Sequence, residues 1–137
     1  MTGVLPLSVD LIAVPKAVPE VRRMLRTWFG AADVGDLGLC VSELLTNVID
    51  HLGEGTPVTL RISGTRAGRI RVAVSDPAPG VRPVLRSAGA DRTSGRGMWL
   101  VDALALGWGV EQGPYSKTVW CELRAPAESC LAAGVRP

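Results

Sequence analysis

Apolar residues recur every three or four positions in two segments near the start of the chain. In the first segment, which begins at Pro15, the apolar positions share one helical face: Val21, Met24, Leu25, Trp28 and Phe29. In the second, a longer apolar stripe runs from Leu37 to Leu52 and ends before Gly53. Apolar residues at this spacing line one side of a helix, so the pattern predicts two amphipathic helices.

Other segments alternate apolar and polar residues, which is typical of strands with one buried face. Residues 5–15 alternate in this way between prolines, which favours an edge strand. Residues 57–63 and 68–76 are rich in β-branched residues and are separated by a short glycine-containing turn, so they predict an antiparallel hairpin. Two more strands, WGVEQ and SKTVWCEL, are expected near the end of the chain.

The segment between these two groups of strands has a different composition. Residues 77–94 are rich in Pro, Gly, Ala and Arg and lack apolar periodicity, and loops of this length in compact domains are commonly lids over a site. A short helix is predicted over residues 98–106. The order of elements lacks the regular strand-helix alternation of a parallel sheet. It predicts an α+β fold, a two-layer α/β sandwich with a mixed, mostly antiparallel sheet and helices on one face.

Length and composition limit the possible classes of protein. The 137 residues fit one domain, predicted over residues 1–125, with a flexible tail at 126–137. The chain is 47% hydrophobic and carries a net charge of +2 without a Lys/Arg run, which argues against nucleic-acid binding. No apolar run approaches the roughly 20 residues that span a bilayer, and no signal peptide is evident, so we expect a cytoplasmic protein without a membrane partner.

The cysteines do not indicate a disulfide framework or a zinc site. Their number is odd, no CxxC pair occurs, and their spacing to the single histidine does not match a metal site: Cys40, Cys121 and Cys130. We therefore expect reduced thiols.

Three polar residues share one strip of the second predicted helix. Glu43, Asn47 and His51 are spaced four residues apart and therefore lie beside the apolar stripe on one side. An Asn carbonyl is a hard oxygen ligand that suits magnesium, and a carboxylate one turn away can accept a proton from a hydroxyl. The alternative is an ordinary solvated helix face.

Asp76 ends the second strand of the predicted hairpin, in the sequence SDPAPG. A carboxylate accepts hydrogen bonds only and so suits recognition of an exocyclic amine such as that of adenine, while Gly80 permits a close approach of the backbone to the base. The alternative is an ordinary Asp-Pro turn.

Two further segments carry candidate binding residues. Gly95 and Gly97 lie at the mouth of the predicted third helix, where free backbone N–H groups favour a phosphate, although such a pair also suits a hinge. A strand hydroxyl, Thr118, can support the base-binding carboxylate directly or through water, although strand threonines commonly reflect β propensity. Arginines in or beside the lid can screen a triphosphate: Arg82, Arg86, Arg92 and Arg96.

Together, the stretches VSELLTNVIDH, SDPAPG, GRGMWLV and KTVW resemble the N box, the two glycine boxes and the final Thr box of the GHKL ATPase superfamily, which has the Bergerat ATP-binding fold. Within it the chain looks most like the short anti-sigma-factor serine/threonine kinases, the stand-alone histidine kinase-like ATP-binding regulators of actinobacteria. The resemblance extends from about residue 8 to 124. One departure is Ala78, which stands at the first glycine of the family's first glycine box.

The resemblance implies a role for each matching residue. Asn47 would hold magnesium, Glu43 would act as the general base, and Asp76 would bind the adenine amine with Thr118 assisting. Gly80 would lie against the base. The second glycine box would bound the phosphate-covering lid and contact the nucleotide through four residues: Gly95, Arg96, Gly97 and Met98.

The resemblance also implies partners. The chain would bind ATP with Mg²⁺ and phosphorylate a STAS-type anti-sigma-factor antagonist, and a homodimer would hold a sigma factor. One alternative is a nucleotide-gated binding module without significant kinase activity. Another is the detached ATP-binding subunit of a histidine kinase, although the chain has one His, inside the N box, and lacks a separate phospho-acceptor helix.

Overall fold

The structure is a computed structural model that describes residues 6–30, 34–65, 68–77 and 92–124, with side chains in the last range from residue 98 onward. In chain order the described residues form the following elements: β1 (Leu7–Ala13), α1 (Ala17–Phe29), α2 (Gly35–Leu52), β2 (Thr56–Gly64), β3 (Arg69–Asp76), α3 (Arg92–Leu104), β4 (Gly107–Gln112) and β5 (Lys117–Arg124). This is the predicted order of elements. The predicted lid, apart from Pro77 and the first residues of α3, and the predicted tail lie outside the described residues.

The five strands form one sheet in the order β1-β2-β3-β5-β4. β1 is an edge strand, as its flanking prolines predicted. Every neighbouring pair of described strands is antiparallel, so the sheet is not mixed. The reason is that each connection between paired strands returns the chain to the end of the sheet that it left. For example, β1 ends at Ala13 and β2 begins opposite it at Thr56.

The first two helices bury the apolar stripes that the sequence indicated. On α1 the buried side chains include Val21, Leu25 and Phe29, with Met24 and Trp28 partly buried against the same core. α2 ends at Leu52 and is capped by Gly53, whose φ of 98° lies in the left-handed region that favours glycine. The backbone N–H of Gly53 donates to the Ile49 carbonyl at 2.9 Å. The amphipathic pattern therefore determines the buried faces of both helices, and Gly53 determines where α2 ends.

The helices cover one face of the sheet, which confirms the two-layer α+β sandwich. Alternate residues of β2, β3 and β5 supply most of the core on that face: Val58, Leu60, Ile62, Ile70, Val72, Val74, Val119, Cys121 and Leu123. The opposite face is polar, and Arg71 lies there within 3.4 Å of Glu122 and 4.3 Å from the centre of the Trp120 ring. None of the helices in the described part of the chain is long and apolar enough to cross a membrane.

The uncovered face provides a test of the packing around Trp120. A Cβ added at Gly109 would lie 3.0 Å from the Trp120 ring, which Arg71 contacts in turn, whereas nothing lies within 4 Å of a Cβ added at Gly107. We expect Gly109→Ala to lower the free energy of unfolding by about 1 kcal/mol, because the indole must shift. Gly107→Ala, the matched control on the same strand, should change it by less than about 0.5 kcal/mol. Urea denaturation checks both, and equal effects would contradict the packing described.

Candidate functional site

Five strand ends meet at one end of the sheet, which we call the sheet edge, together with the end of α2. β3 ends at Asp76, and β5 begins directly opposite it at Lys117. β1 ends and β2 begins at the same edge, because Thr59 pairs with both Asp10 and Ser75. α2 leads there as well, since the backbone N–H of Gly55, just after the helix, donates to the Ala13 carbonyl at 3.0 Å. The C-terminal turns of α2 therefore approach the sheet edge that carries Asp76.

Asn47 has a buried side-chain oxygen that finds no hydrogen-bond partner among the described residues. The residue is half-buried on α2, and its Oδ1 atom is enclosed but accepts no hydrogen bond within the part of the chain that the structure describes. Buried side-chain oxygens are nearly always paired, so an unpaired one indicates a missing partner such as a cation. No described group of three His, Cys, Asp or Glu side chains forms a metal cluster. The donor set therefore fits a magnesium ion that takes one protein oxygen and completes its shell with water and phosphate.

Glu43 lies one turn before Asn47 on the same strip and is also half-buried. Its pKa is raised, first because burial disfavours the charged carboxylate and second because Asp50 carries a like charge nearby. A carboxylate whose pKa is raised accepts a proton more readily at neutral pH, which is the property that a general base requires. His51, the third residue of the strip, is half-buried and forms an interaction with a neighbouring group.

Asp76 lies on the helix-covered side of the sheet and is 3% exposed. Its side chain points to that side because buried and half-buried residues alternate along β3 up to its last residue. Asp76 forms an interaction of its own in the structure. Asp76 thus lies at the boundary between the helices and the sheet.

Thr118 lies on the opposite face of the sheet from Asp76, and its assistance in adenine binding remains a prediction. It is paired in register with Ser75, and the two hydroxyl oxygens are 2.7 Å apart on the uncovered face. The residue opposite Asp76 is Lys117, which is 7% exposed. The reason is the two-residue period of a strand, by which a shift of one position changes the face. The sequence indicated which residue faces the helices, because Lys117 is two and four positions away from the apolar residues Val119 and Cys121.

The second glycine box also differs from the prediction. α3 begins at Arg92, so Gly95 and Gly97 lie within its first two turns rather than ahead of it. Of Arg96 only the backbone is described, and it lies between these two glycines. Met98 is partly buried against the core. Gly80, Ala78, Arg82 and Arg86 lie outside the described residues.

A cavity of about 550 Å³ adjoins Asp76 at the sheet edge. Its walls come from the strand ends and include Asp10, Thr59, Ser75 and Ser116, together with Asp76. Most of these side chains lie on the uncovered face. The cavity therefore lies mainly on the uncovered side of the strand ends and extends to Asp76. Neither Glu43 nor Asn47 lines it.

Comparison with known proteins identifies the family. Residues 10–121 match the family described as histidine kinase-like ATPase domain. The chain is similar to an uncharacterized protein of Streptomyces coelicolor, with 43% identity over 104 residues that cover 69% of this chain and 99% of that protein.

Two solved structures share the fold. One contains the RsbU and RsbW domains of a Mycobacterium tuberculosis protein, with a TM-score of 0.62 and 20% identity, covering 88% of this chain and 32% of that one. The other is the histidine kinase domain of a blue-light-activated histidine kinase from Erythrobacter litoralis, with a TM-score of 0.53 and 20% identity, covering 86% of this chain and 64% of that one. The chain therefore spans about a third of the first structure and slightly less than two thirds of the second.

The raised pKa of Glu43 predicts a pH-dependent cost to stability. Below the ordinary carboxyl pKa the side chain is neutral in both the folded and the unfolded protein. Above the raised folded pKa it is charged in both, and the fold then bears the cost of a half-buried carboxylate near Asp50. We expect Glu43→Gln to raise the urea midpoint at pH 7, and the gain over wild type to vanish at about pH 4.

Substitution of an exposed glutamate provides the control for this experiment. Glu54 is exposed in the turn after α2. Glu54→Gln removes the same charge from a solvated position, so it should leave the urea midpoint nearly unchanged at both pH values. A gain for Glu43→Gln that is equal at pH 7 and at the acidic pH would contradict the raised pKa.

Proposed function

Since the chain belongs to the family of histidine kinase-like ATPase domains, we propose that it binds ATP with Mg²⁺ and transfers the γ-phosphate to a serine or threonine hydroxyl of a partner protein. Membership of the family supports an ATP-binding regulatory function and a kinase or ATPase kind of activity. The serine/threonine acceptor comes from the motif set and from the chemistry of the α2 strip.

The observation that carries the proposal is the buried Oδ1 of Asn47, which has no partner among the described residues, one helical turn from Glu43, whose pKa is raised. A solvated helix face, the alternative interpretation of this strip, would leave both groups exposed to water and Asn47 free to pair with it. An enclosed oxygen and a carboxylate that readily accepts a proton instead fit a site that is completed by a ligand.

Each residue has a separate task in this proposal. Asn47 supplies one oxygen ligand to the metal, which when bound neutralises charge on the phosphates. Asp76 accepts a hydrogen bond from the exocyclic amine of the base and so sets its orientation. Glu43 orients the acceptor hydroxyl and takes its proton as the phosphoryl group is transferred. Positioning by the fold provides much of the acceleration, because phosphoryl transfer needs little covalent chemistry from the protein.

The partners proposed are a STAS-type anti-sigma-factor antagonist as the phosphate acceptor and a sigma factor held by a homodimer of this chain. This assignment is supported by the order of the four motifs, which matches the anti-sigma-factor serine/threonine kinases. An RsbW domain in one of the structures that share the fold is consistent with it. We place this activity in the cytoplasm, where sigma factors act.

A second candidate function is an ATP-gated binding module that sequesters a partner with negligible phosphotransfer. The observation that favours it is Ala78, which replaces the first glycine of the first glycine box. The two functions differ in whether radioactive phosphate from γ-labelled ATP reaches a STAS-type protein. Binding of ATP without any labelled partner would favour the module.

Substitution of Asn47 tests the metal ligand. We expect Asn47→Ala to lower the affinity for ATP by about tenfold or more when magnesium is present, because the metal loses its protein oxygen. The difference should disappear when magnesium is removed with a chelator. Isothermal titration calorimetry with and without magnesium measures both.

The neighbouring residue supplies a matched control for Asn47. Thr46→Ala, one position earlier on α2, should bind ATP as the wild type does. Circular dichroism should show both variants folded. Equal ATP affinity in Asn47→Ala and wild type would count against the site.

Substitution of Glu43 separates binding from transfer. Glu43→Gln keeps the size and the hydrogen-bonding shape of the side chain but removes the proton acceptor. We expect unchanged ATP affinity and a rate of transfer to a STAS-type acceptor lowered by about 10²- to 10⁴-fold. The measurement is the rate at which label from γ-labelled ATP appears on the acceptor. Transfer at the wild-type rate would remove Glu43 from the role of general base.

A further inference from the structure

Lys117 is a lysine in an unusual environment. It is 7% exposed and lies at the start of β5, on the side of the sheet that the helices cover. Lysines are seldom buried to this degree unless their ammonium group is paired. Among the residues that the structure describes, none accepts a hydrogen bond from the Lys117 side chain or forms an ion pair with it.

The position of Lys117 places it beside the predicted base-binding residue. It stands directly opposite Asp76 in the antiparallel pairing of β3 and β5. Side chains opposite each other share one face of a sheet, with Cβ atoms about 5 Å apart. A carboxylate, which only accepts hydrogen bonds, therefore has as its neighbour an ammonium group, which only donates them.

We propose that Lys117 is a specificity-determining residue for the nucleotide base, and this proposal rests on the proposed ATP-binding function. Its ammonium donates a hydrogen bond to the purine ring nitrogen next to the exocyclic amine, while Asp76 accepts from the amine itself. Adenine presents a donor and an acceptor side by side on this edge. The Asp76–Lys117 pair presents the complementary acceptor and donor in the same arrangement.

The same pair discriminates against guanine. Where adenine has an amine and a bare ring nitrogen, guanine has a carbonyl oxygen and a ring N–H. In the same pose the carbonyl oxygen would face the Asp76 carboxylate and the ring N–H would face the Lys117 ammonium. Both contacts are repulsive, and a site with buried polar groups rejects a ligand that leaves them unpaired. The selectivity for adenine over guanine thus depends on the negative charge of Asp76 facing the amine position and the positive charge of Lys117 facing the ring nitrogen.

The competing interpretation is a lysine whose aliphatic chain packs against the sheet while its ammonium reaches water at the edge. In that case the side chain would serve packing only. Lys117→Met distinguishes the two, because methionine keeps a flexible apolar chain of similar length and removes the charge. A packing role predicts unchanged nucleotide binding in this variant.

The experiment is calorimetric titration of the full chain with MgATP and MgGTP. We expect wild type to prefer ATP, and Lys117→Met to bind ATP about 10- to 100-fold more weakly, because a hydrogen bond from a charged donor is lost. Lys16→Met makes the same chemical change at an exposed position before α1 and should bind ATP as wild type does. Equal ATP affinity in Lys117→Met and wild type would overturn the inference, as would equal affinity of wild type for ATP and GTP.

A modified nucleotide tests the same contact without a substitution, in case Lys117→Met does not fold. In 1-deaza-ATP a C–H group replaces the ring nitrogen that Lys117 is proposed to contact. Wild type should bind it about 10- to 100-fold more weakly than ATP, and a folded Lys117→Met should bind the two alike. Equal affinity of wild type for the two nucleotides would overturn the role of Lys117 and leave the proposed function standing. Wild type that binds no ATP would remove both.

Discussion

The pairing register between β3 and β5 is the constraint on which the candidate site depends. Apolar residues at alternate positions of both strands face the helices, and their burial fixes the register: Val72, Val74, Val119 and Cys121. The same alternation carries Asp76 and Lys117 to the helix-covered side at the ends of the strands. A slip of one residue would replace them there with Ser75 and Thr118 and would expose the core. The hydrophobic effect that forms the core therefore also places the polar residues of the site.

α2 connects the core with the chemistry of the site. One side of the helix buries a continuous apolar stripe, and the strip beside it carries Glu43 and Asn47 in half-buried positions. These positions lower stability, because an unpaired oxygen and a charged carboxylate both lose hydration there. Such costs persist where a ligand compensates for them, so the arrangement agrees with a nucleotide and metal site better than with a structural role.

The sequence predicted those features that depend on a simple period. The apolar stripes of α1 and α2, the hairpin of β2 and β3 and the edge position of β1 all followed from local pattern. The face that Thr118 occupies was not predicted, although the alternation of buried residues at Lys117, Val119 and Cys121 indicates it. The start of α3 was missed because Gly95 and Gly97 have low helix propensity, and packing of α3 against α2 outweighs that propensity. The unpaired oxygen of Asn47 depends on tertiary enclosure, which no local pattern contains.

The distribution of buried polar side chains also marks the sheet edge as the site. Among the described residues three polar or charged side chains are buried, namely Ser42, Asp76 and Lys117. The Ser42 hydroxyl donates to the Gly38 carbonyl of its own helix at 2.7 Å, so its polarity is satisfied locally. The other two are cross-strand neighbours with opposite charges at the strand ends, where the chain leaves the sheet. Among the described residues, fully buried charged side chains thus occur only at these strand ends, near which α2 ends.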